Sequence, residues 1–179
     1  MKALVAFLLC SAFGCTTSTS NVNDGAMIAG TPFTAAGAVS MVRTSRGLTN
    51  IVLGDFANVC SVADESEQAT SKTLTLLLSD FTGADDSTPP MHPGTYSVST
   101  LADPLPISGP FAECGFHVTD GTCRFSETYC TSGDITLTRA DTTGYAGTFD
   151  VVIAGDHVTG SFDTANCANV SEDGFGTCH

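Results

Sequence analysis

The sequence predicts an all-β fold: an antiparallel β-sandwich, jelly-roll-like or barrel-like, with about nine or ten strands. From about residue 26 onward, short runs alternate apolar with polar residues, and Gly, Pro, Asp and Ser divide one run from the next. No stretch of this region keeps a helical period. The chain of 179 residues also has 8 cysteines, so we expect disulfide bonds to staple the sheet.

The first strands are short and are marked by brief alternating runs. Such runs occupy residues 39–43, 48–53 and 96–98. Between them, Leu74, Leu76 and Leu78 alternate with polar residues, which is the period of a strand that buries one face. We expect these leucines to point into the core.

The last third of the chain carries the clearest strands. Ile135 and Leu137 alternate with threonines, and residues 141–144 then have the composition of a turn. Beyond it, one face recurs at every second position: Tyr145, Gly147, Phe149, Val151 and Ile153. A tight turn at Gly155-Asp156 leads to a return strand that shares one face at Val158, Gly160 and Phe162. Together these patterns predict an antiparallel meander.

A hairpin is predicted at Asp120-Gly121, a dipeptide that favours tight turns. Its strands are expected at residues 116–118 and 123–125. Because Cys114 and Cys130 flank this hairpin, we expect their strands to bring them near each other.

Helix is scarce in the prediction. Residues 34–38 and 55–59 each have room for a turn or two, and Asp55 is placed to cap the second. The segment 83–93 contains two adjacent prolines and two adjacent aspartates, and it is predicted to be a loop. Since function often lies on loops, this segment is one expected position for a site.

The N-terminus has the features of a bacterial export signal. Lys2 precedes an apolar run at residues 3–13, which is shorter than the roughly 20 residues that a membrane-spanning helix needs. Small Gly14 precedes Cys15, so we expect cleavage between them and attachment of a lipid, including palmitate, to Cys15. Ordinary secretory cleavage at the same bond, without a lipid, is the alternative. The expected parts are a signal peptide at 1–14, a lipidated cysteine with a flexible tether at 15–25, and a single all-β domain at 26–179.

Cysteine parity favours the lipidated form. Loss of Cys10 with the signal leaves an odd number of cysteines, which in an exported protein predicts a reactive thiol or a partner chain. A lipid on Cys15 leaves an even number, all of which can form disulfides in an oxidising compartment. The disulfide candidates are Cys60, Cys114, Cys123, Cys130, Cys167 and Cys178. The sequence alone does not choose among their pairings.

Composition and motifs argue against several classes of function. A formal net charge of −13 repels phosphate backbones, so nucleic acid is not an expected partner. The chain has no Gly-x-Ser-x-Gly elbow, no zinc-type spacing of His or Cys, and no EF-hand spacing in its acidic segments 64–67 and 85–86. We therefore predict a non-enzymatic protein with no catalytic residue, cofactor or metal site. The histidines are interpreted as ordinary residues: His92, His117, His157 and His179.

Four stretches of the chain carry a resemblance to a known class of proteins. They are residues 51–53 leading to Cys60, 94–98, 132–138, and 158–162 ending near Cys167. In these strand and turn patterns the chain resembles a family of uncharacterised small bacterial lipoproteins with one β-sandwich-like domain. The resemblance implies a lipidated N-terminus and this fold, and it implies no catalytic or ligand-binding residue.

These expectations lead to one functional hypothesis and one alternative. The first is a lipoprotein of the bacterial cell envelope, at the outer membrane or otherwise secreted or periplasmic, whose β-domain is structural or binds an envelope protein or a glycan. A glycan is disfavoured because the chain has no Trp and most of its 11 Phe residues alternate as core residues. The alternative is a carrier of a small apolar ligand, with a barrel cavity lined by Leu76, Phe149 and Val151.

Overall fold

The computed structural model describes residues 19–22, 26–44, 47–60, 70–83, 86–100 and 108–167, and most of these residues lie in β-strands. Within these residues there are twelve strands, so the predicted all-β class is confirmed and the strand count is slightly higher than predicted. In chain order they are β1 (Thr19–Val22), β2 (Ala26–Ile28), β3 (Thr31–Phe33), β4 (Gly37–Arg43), β5 (Leu48–Gly54), β6 (Lys72–Gly83), β7 (Asp86–Thr88), β8 (Gly94–Ser97), β9 (Gly109–Thr119), β10 (Phe125–Asp141), β11 (Gly144–Ile153) and β12 (Asp156–Ala165).

The main sheet has ten strands and curls into a nearly closed barrel. Its strands follow the order β1-β12-β11-β10-β9-β6-β5-β4, while β7 pairs with β6 and β8 pairs with β10. The sheet closes where Ser40 of β4 forms a parallel bridge with Asn166, just beyond β12. The first part of β10 pairs with β9, and the rest pairs with β11 and β8. This continuous order makes the domain barrel-like rather than a sandwich of two sheets.

One continuous cluster of buried side chains fills the inner face of the barrel. Strands β5, β6 and β8 to β12 all contribute to it. The predicted inward leucines of β6, such as Leu76, are fully buried. Phe149 and Val151 on β11 belong to the same cluster and are at most 3% exposed. The alternation of these strands therefore predicts their inner faces correctly.

A second, smaller cluster lies on the outer face of β4 and β5. Val59 packs there against Val39, Met41 and Val52. Phe56, Cys60 and Cys167 pack against the same group. The segment that follows β5 therefore folds back and covers this part of the barrel wall.

The hairpin of β2 and β3 covers one end of the barrel. Its Ile28 and Phe33 are buried in the main cluster, and the rings of Phe33 and Phe116 meet edge to face at 5.4 Å between centroids. The backbone N–H of Ala29 donates to the Asp156 carboxylate at 2.8 Å. Because Asp156 begins β12, this bond places the hairpin beside the turn between β11 and β12.

The predicted meander of β10, β11 and β12 is confirmed. The turn between β10 and β11 lies at Thr142 and Thr143, within the predicted segment. The next turn is at Ala154 and Gly155, both with positive φ, and Asp156 is already the first residue of β12. The predicted Gly155-Asp156 turn is therefore one residue too late.

The hairpin of β9 and β10 is also confirmed, but its turn is longer than the predicted two residues. Residues 120–124 connect the strands, so β10 begins at Phe125 rather than at Cys123. The Asp120 carboxylate accepts hydrogen bonds from the backbone N–H groups of Thr122 at 2.7 Å and Arg124 at 3.0 Å. The carboxylate also accepts a hydrogen bond from the Thr122 hydroxyl, and this bond, followed by the two backbone bonds, lowers the pKa of Asp120.

Three local predictions are wrong. Thr19–Val22, placed in the flexible tether by its polar composition, forms β1, pairs with β12 and buries Val22, so the domain includes it. Residues 34–38 are not helical, and helical backbone begins only at Val59. Asp55 does not cap it, because its carboxylate accepts a hydrogen bond from the backbone N–H of Lys72 at 2.9 Å.

Candidate functional site

The described histidines do not gather into one site. Each forms a pair with a carboxylate of a different residue: His92 with Asp80 at 3.9 Å, His117 with Glu127 at 3.0 Å, and His157 with Asp150 at 3.2 Å between nitrogen and oxygen. Over the part of the chain that the structure describes, no group of three or more His, Cys, Asp or Glu side chains is placed to hold a metal ion. His179 and the acidic segment 64–67 lie outside the described residues, as does Asp85.

The outer surface of the β9–β10 hairpin brings titratable and aromatic side chains together. We call this surface the outer face, and its members are Glu113, Gly115 and His117 of β9 with Phe125, Glu127 and Tyr129 of β10. The register places Glu127 opposite His117 and Tyr129 opposite Gly115. All six positions therefore project from the same side of the sheet, away from the core.

The alternation of β9 explains why this surface forms. Ala112, Cys114 and Phe116 point into the core and are at most 4% exposed. The residues between them must then point outward, because successive side chains of a strand alternate. The same rule applies to β10, where buried Cys130 sets its neighbour Tyr129 outward.

Glu127 is the centre of the polar contacts on the outer face. Its carboxylate lies 3.0 Å from Nε2 of His117 and accepts a hydrogen bond from the Tyr129 hydroxyl. That hydrogen bond raises the pKa of Tyr129, because ionised Tyr129 would lose it. Burial and then the nearby charge of Glu127 raise the pKa of Glu113. Two carboxylates and a phenol thus share one small area.

Gly115 makes room for the pair formed by His117 and Glu127. A Cβ at this position would lie 3.1 Å from Oε1 of Glu127 and 3.3 Å from Nε2 of His117. Both distances are tighter than ordinary van der Waals contact, so a larger residue would push the pair aside. The absence of a side chain at Gly115 is therefore part of the geometry of the outer face.

Two aromatic rings are exposed on the outer face. Phe125 is 56% exposed and Tyr129 is 44% exposed. The ring of His117 lies 6.3 Å from that of Phe125. Most phenylalanines were expected in the core, so this exposed pair of rings was not predicted from the sequence. The signal that finds them is the position of Cys130: once that cysteine points inward, Phe125 and Tyr129 must point outward.

A second polar cluster lies inside the barrel, at the end away from the β2–β3 hairpin. The buried Tyr145 hydroxyl accepts a hydrogen bond from Thr49 at 3.1 Å and donates to the Pro90 carbonyl at 2.9 Å. Buried Tyr96 donates to Asp80 at 3.2 Å. Burial raises the pKa of both phenols. Through the bond from Tyr145, the cluster ties Pro90 to β11, so the segment 83–93, which was predicted to be a loop and contains β7, is attached to the barrel there.

The described cysteines form disulfides. Cys114 pairs with Cys130, as expected from the hairpin, with 5.3 Å between their Cα atoms. Cys60 pairs with Cys167, a pairing that the sequence did not predict, with 5.6 Å between their Cα atoms. Cys123 is disulfide-bonded as well. Cys15, the predicted lipid attachment site, and Cys178 lie outside the described residues.

Comparisons of the chain with protein-family models, with curated proteins and with solved structures find no match. The resemblance to bacterial lipoproteins therefore stays a prediction. In the described part of the chain, no helix is both long and apolar enough to cross a membrane. The features of the described chain that bear on function are the barrel, its disulfides and the outer face.

Proposed function

We propose that this protein is an exported bacterial lipoprotein, anchored through Cys15, whose barrel domain binds a partner at the outer face and catalyses no reaction. The observation that carries the binding part is the exposure of Phe125 and Tyr129 on one strand face beside Glu113 and Glu127. Exposed aromatic residues grouped with polar ones are typical of interaction surfaces.

The cluster of buried side chains inside the barrel favours a binding surface on the outside over a ligand cavity on the inside. Leu76, Phe149 and Val151, the positions expected to line a carrier cavity, lie in one buried cluster with residues of the neighbouring strands. A carrier needs an open volume of a few hundred cubic ångströms, on the order of a small ligand. Side chains that pack together in one cluster leave less of that volume.

The disulfides support export, because such bonds persist in oxidising compartments outside the cytoplasm. They also limit which cysteines remain free for lipidation or for a bond to Cys123. Once Cys60 is bonded to Cys167 and Cys114 to Cys130, a mature chain has only Cys15 and Cys178 left as partners for Cys123. A lipid on Cys15 removes that cysteine from the choice, so the lipoprotein proposal requires a bond between Cys123 and Cys178.

The anchor would hold the barrel close to the membrane. Thr19 begins β1 four residues after Cys15. A fully extended chain spans at most about 3.5 Å per residue, so the reach from Cys15 to Thr19 is at most about 14 Å. The end of the barrel where β1 begins and β12 ends would thus face the lipid.

Disulfide mapping of the full-length protein from its native host tests the anchor. Non-reducing peptide mass spectrometry is expected to find a peptide linking Cys123 to Cys178 and an acylated N-terminal peptide beginning at Cys15. The Cys15→Ser variant is expected to lose membrane association and globomycin-sensitive processing. A disulfide between Cys15 and Cys123, or unchanged fractionation of the variant, would overturn the lipoprotein proposal.

Site-directed photo-crosslinking in intact cells tests the binding surface. Replacement of Phe125 by a photo-reactive phenylalanine is expected to capture a specific envelope component. The matched control is the same replacement at Met27, which is 48% exposed on the β2–β3 hairpin. Equal capture from both positions, or none from Phe125, would remove the outer face as the binding surface.

A further inference from the structure

We propose that the outer face binds a cationic peptide segment, with a Lys or Arg side chain of a partner protein seated on the Tyr129 ring and against the carboxylate of Glu113. This inference deepens the proposed function and rests on its partner-binding part, although it does not depend on the lipid anchor. Three features of the outer face support it: an exposed ring that is held in place, an uncompensated carboxylate beside it, and a length that suits an extended peptide.

The ring of Tyr129 is both exposed and oriented. Its hydroxyl donates to Glu127, and that carboxylate is itself held 3.0 Å from Nε2 of His117. The ring face therefore stays available while its polar end is fixed. Cations stack on such aromatic faces, and the attraction increases when the site is partly removed from water.

Negative charge on the outer face is not balanced by a basic side chain of the described chain. Arg139 makes its ion pairs with Asp141 and Asp163, and among the described residues no Lys or Arg side chain makes one with Glu113 or Glu127. His117 is placed against Glu127. Glu113 is therefore the carboxylate that a bound cation would neutralise.

The neighbouring strand contributes no charge to this surface. Strand β6 pairs with β9, and the residues it places beside the outer face are Thr73 opposite His117, Thr75 opposite Gly115 and Leu77 opposite Glu113. A cation that approaches Glu113 thus meets hydroxyl and apolar groups rather than a competing charge. Burial and then the nearby charge of Glu127 raise the pKa of Glu113, and a bound cation would offset both effects.

The spacing of the two rings suits an extended peptide. Phe125 and Tyr129 are four residues apart on one strand, which is about 13 Å. An extended segment of about four residues covers the same length. The −13 net charge of the chain would also speed the approach of a basic partner. A neutral glycan could stack on the two rings, but it would leave the charge of the Glu113 carboxylate unpaired. The cationic peptide is therefore the proposed occupant.

The test follows Tyr129 directly. The chain has 3 tyrosines, of which Tyr96 and Tyr145 are fully buried. In full-length protein labelled with fluorotyrosine, ¹⁹F NMR is expected to show one of three signals moving when an Arg-Ser-Arg-Ser-Arg peptide is added. The matched Gln-Ser-Gln-Ser-Gln peptide and the neutral sugar chitotetraose are expected to leave that signal in place.

Variants separate the site from general attraction between opposite charges. Because the Tyr129 variants lack the reporting tyrosine, isothermal titration calorimetry measures the affinity of every variant. Glu113→Gln is expected to weaken binding of the arginine peptide about tenfold, and Tyr129→Ala to a similar extent, whereas Tyr129→Phe keeps the ring and most of the affinity. Asp150→Asn removes one negative charge from β11 and is the matched control, with an expected change of less than about twofold. Circular dichroism and the unmoved signals of Tyr96 and Tyr145 verify folding of each variant.

Four outcomes would overturn the cationic proposal. The ¹⁹F chemical shift of Tyr129 does not change with the arginine peptide, it changes equally with the glutamine peptide, or it changes more with chitotetraose. The fourth is that Asp150→Asn loses as much affinity as Glu113→Gln. These outcomes are distinguishable from failure of the proposed function. If Phe125 still captures an envelope component by photo-crosslinking, the outer face binds a partner of other chemistry. If that capture also fails, the binding function itself is wrong.

Discussion

The β9–β10 hairpin and the barrel seam, where β4 meets the residues just beyond β12, are held together in different ways. In the hairpin, β9 and β10 are consecutive in the chain and pair along an antiparallel ladder. The paired residues run from Phe125 and Thr119 to Tyr129 and Gly115. At the seam the parallel bridge is between Ser40 and Asn166, which are 126 residues apart. Each region contains one disulfide that joins two of its own cysteines, Cys114 with Cys130 in the hairpin and Cys60 with Cys167 at the seam.

The comparison shows that the stabilisation expected from a disulfide depends on how far apart its two cysteines lie in the sequence. The hairpin is formed by adjacent strands, so its disulfide closes a loop of only 16 residues. The seam joins parts of the chain that come together only after the whole sheet has curled, and its disulfide spans 107 residues. Since a crosslink stabilises mainly by restricting the unfolded chain, the longer loop gains more from it.

The largest expected effect is at the seam. Replacing Cys60 and Cys167 together by Ala should lower the free energy of unfolding by about 4 to 5 kcal/mol, because a loop of this length is released and the outer cluster around Val59 loses its staple. Urea unfolding of the oxidised protein measures the loss. Hydrogen exchange should show β4 opening before the rest of the barrel.

Removing the hairpin disulfide should cost less. The double replacement of Cys114 and Cys130 by Ala is expected to lower the free energy of unfolding by about 3 kcal/mol, because its loop is shorter. The same urea experiment compares it with the seam variant. A larger loss here than at the seam would contradict the argument from loop length and would assign the greater effect to core packing.

A smaller effect is expected from the side-chain hydrogen bonds of the seam. Asn166→Ala removes the bond from the Ser40 hydroxyl at 2.6 Å and the bond to the Thr142 carbonyl at 3.0 Å. Because Ser40 is fully buried, its hydroxyl would be left without that partner, at a cost of about 1 to 2 kcal/mol. Thermal unfolding measures it. The control Ser97→Ala removes a 2.7 Å bond to Asp134 on the exposed surface and should cost under about 0.5 kcal/mol.

The smallest effect is expected on the outer face of the hairpin and has the opposite sign. The pKa of Glu113 is raised in the folded protein. Its contribution to the free energy of unfolding is therefore fully present below the unfolded pKa of about 4.3 and is lost as the pH rises through the folded pKa. Glu113→Gln should therefore stabilise the protein by about 0.5 kcal/mol at pH 7 and by nothing near pH 4. Thermal unfolding at both pH values tests this, and Glu113→Asp should keep the pH dependence. A loss of stability in Glu113→Gln at pH 7 would show that burial and the charge of Glu127 do not disfavour ionised Glu113 in the folded protein.

The sequence predicted those parts of the fold in which contacts are local and the period of two is strong. The meander of β10 to β12 and the inward leucines of β6 belong to this group. Cys114 and Cys130 do too, because they flank a single hairpin. In each case the alternation of apolar and polar residues, with a turn between strands, is enough to set the register.

The parts that the sequence missed are short or depend on distant partners. Strand β1 is polar apart from Val22, so its composition indicates a tether until β12 is beside it. Asp55 has the position of a helix cap, yet it hydrogen-bonds to Lys72 on the next strand. The outer face was missed because Phe125 looks like any core phenylalanine until the direction of Cys130 is known.

By itself, the sequence determined the all-β class, the meander, the hairpin and the capacity to form disulfides, because alternation and turn residues act over a few positions. Only the tertiary structure decided that the sheet closes into a barrel rather than a sandwich, that Cys60 meets Cys167, and that two rings stand beside two carboxylates on the outer face. The physical reason is that closure depends on the accumulated twist and curvature of many strands, which no short stretch of sequence encodes.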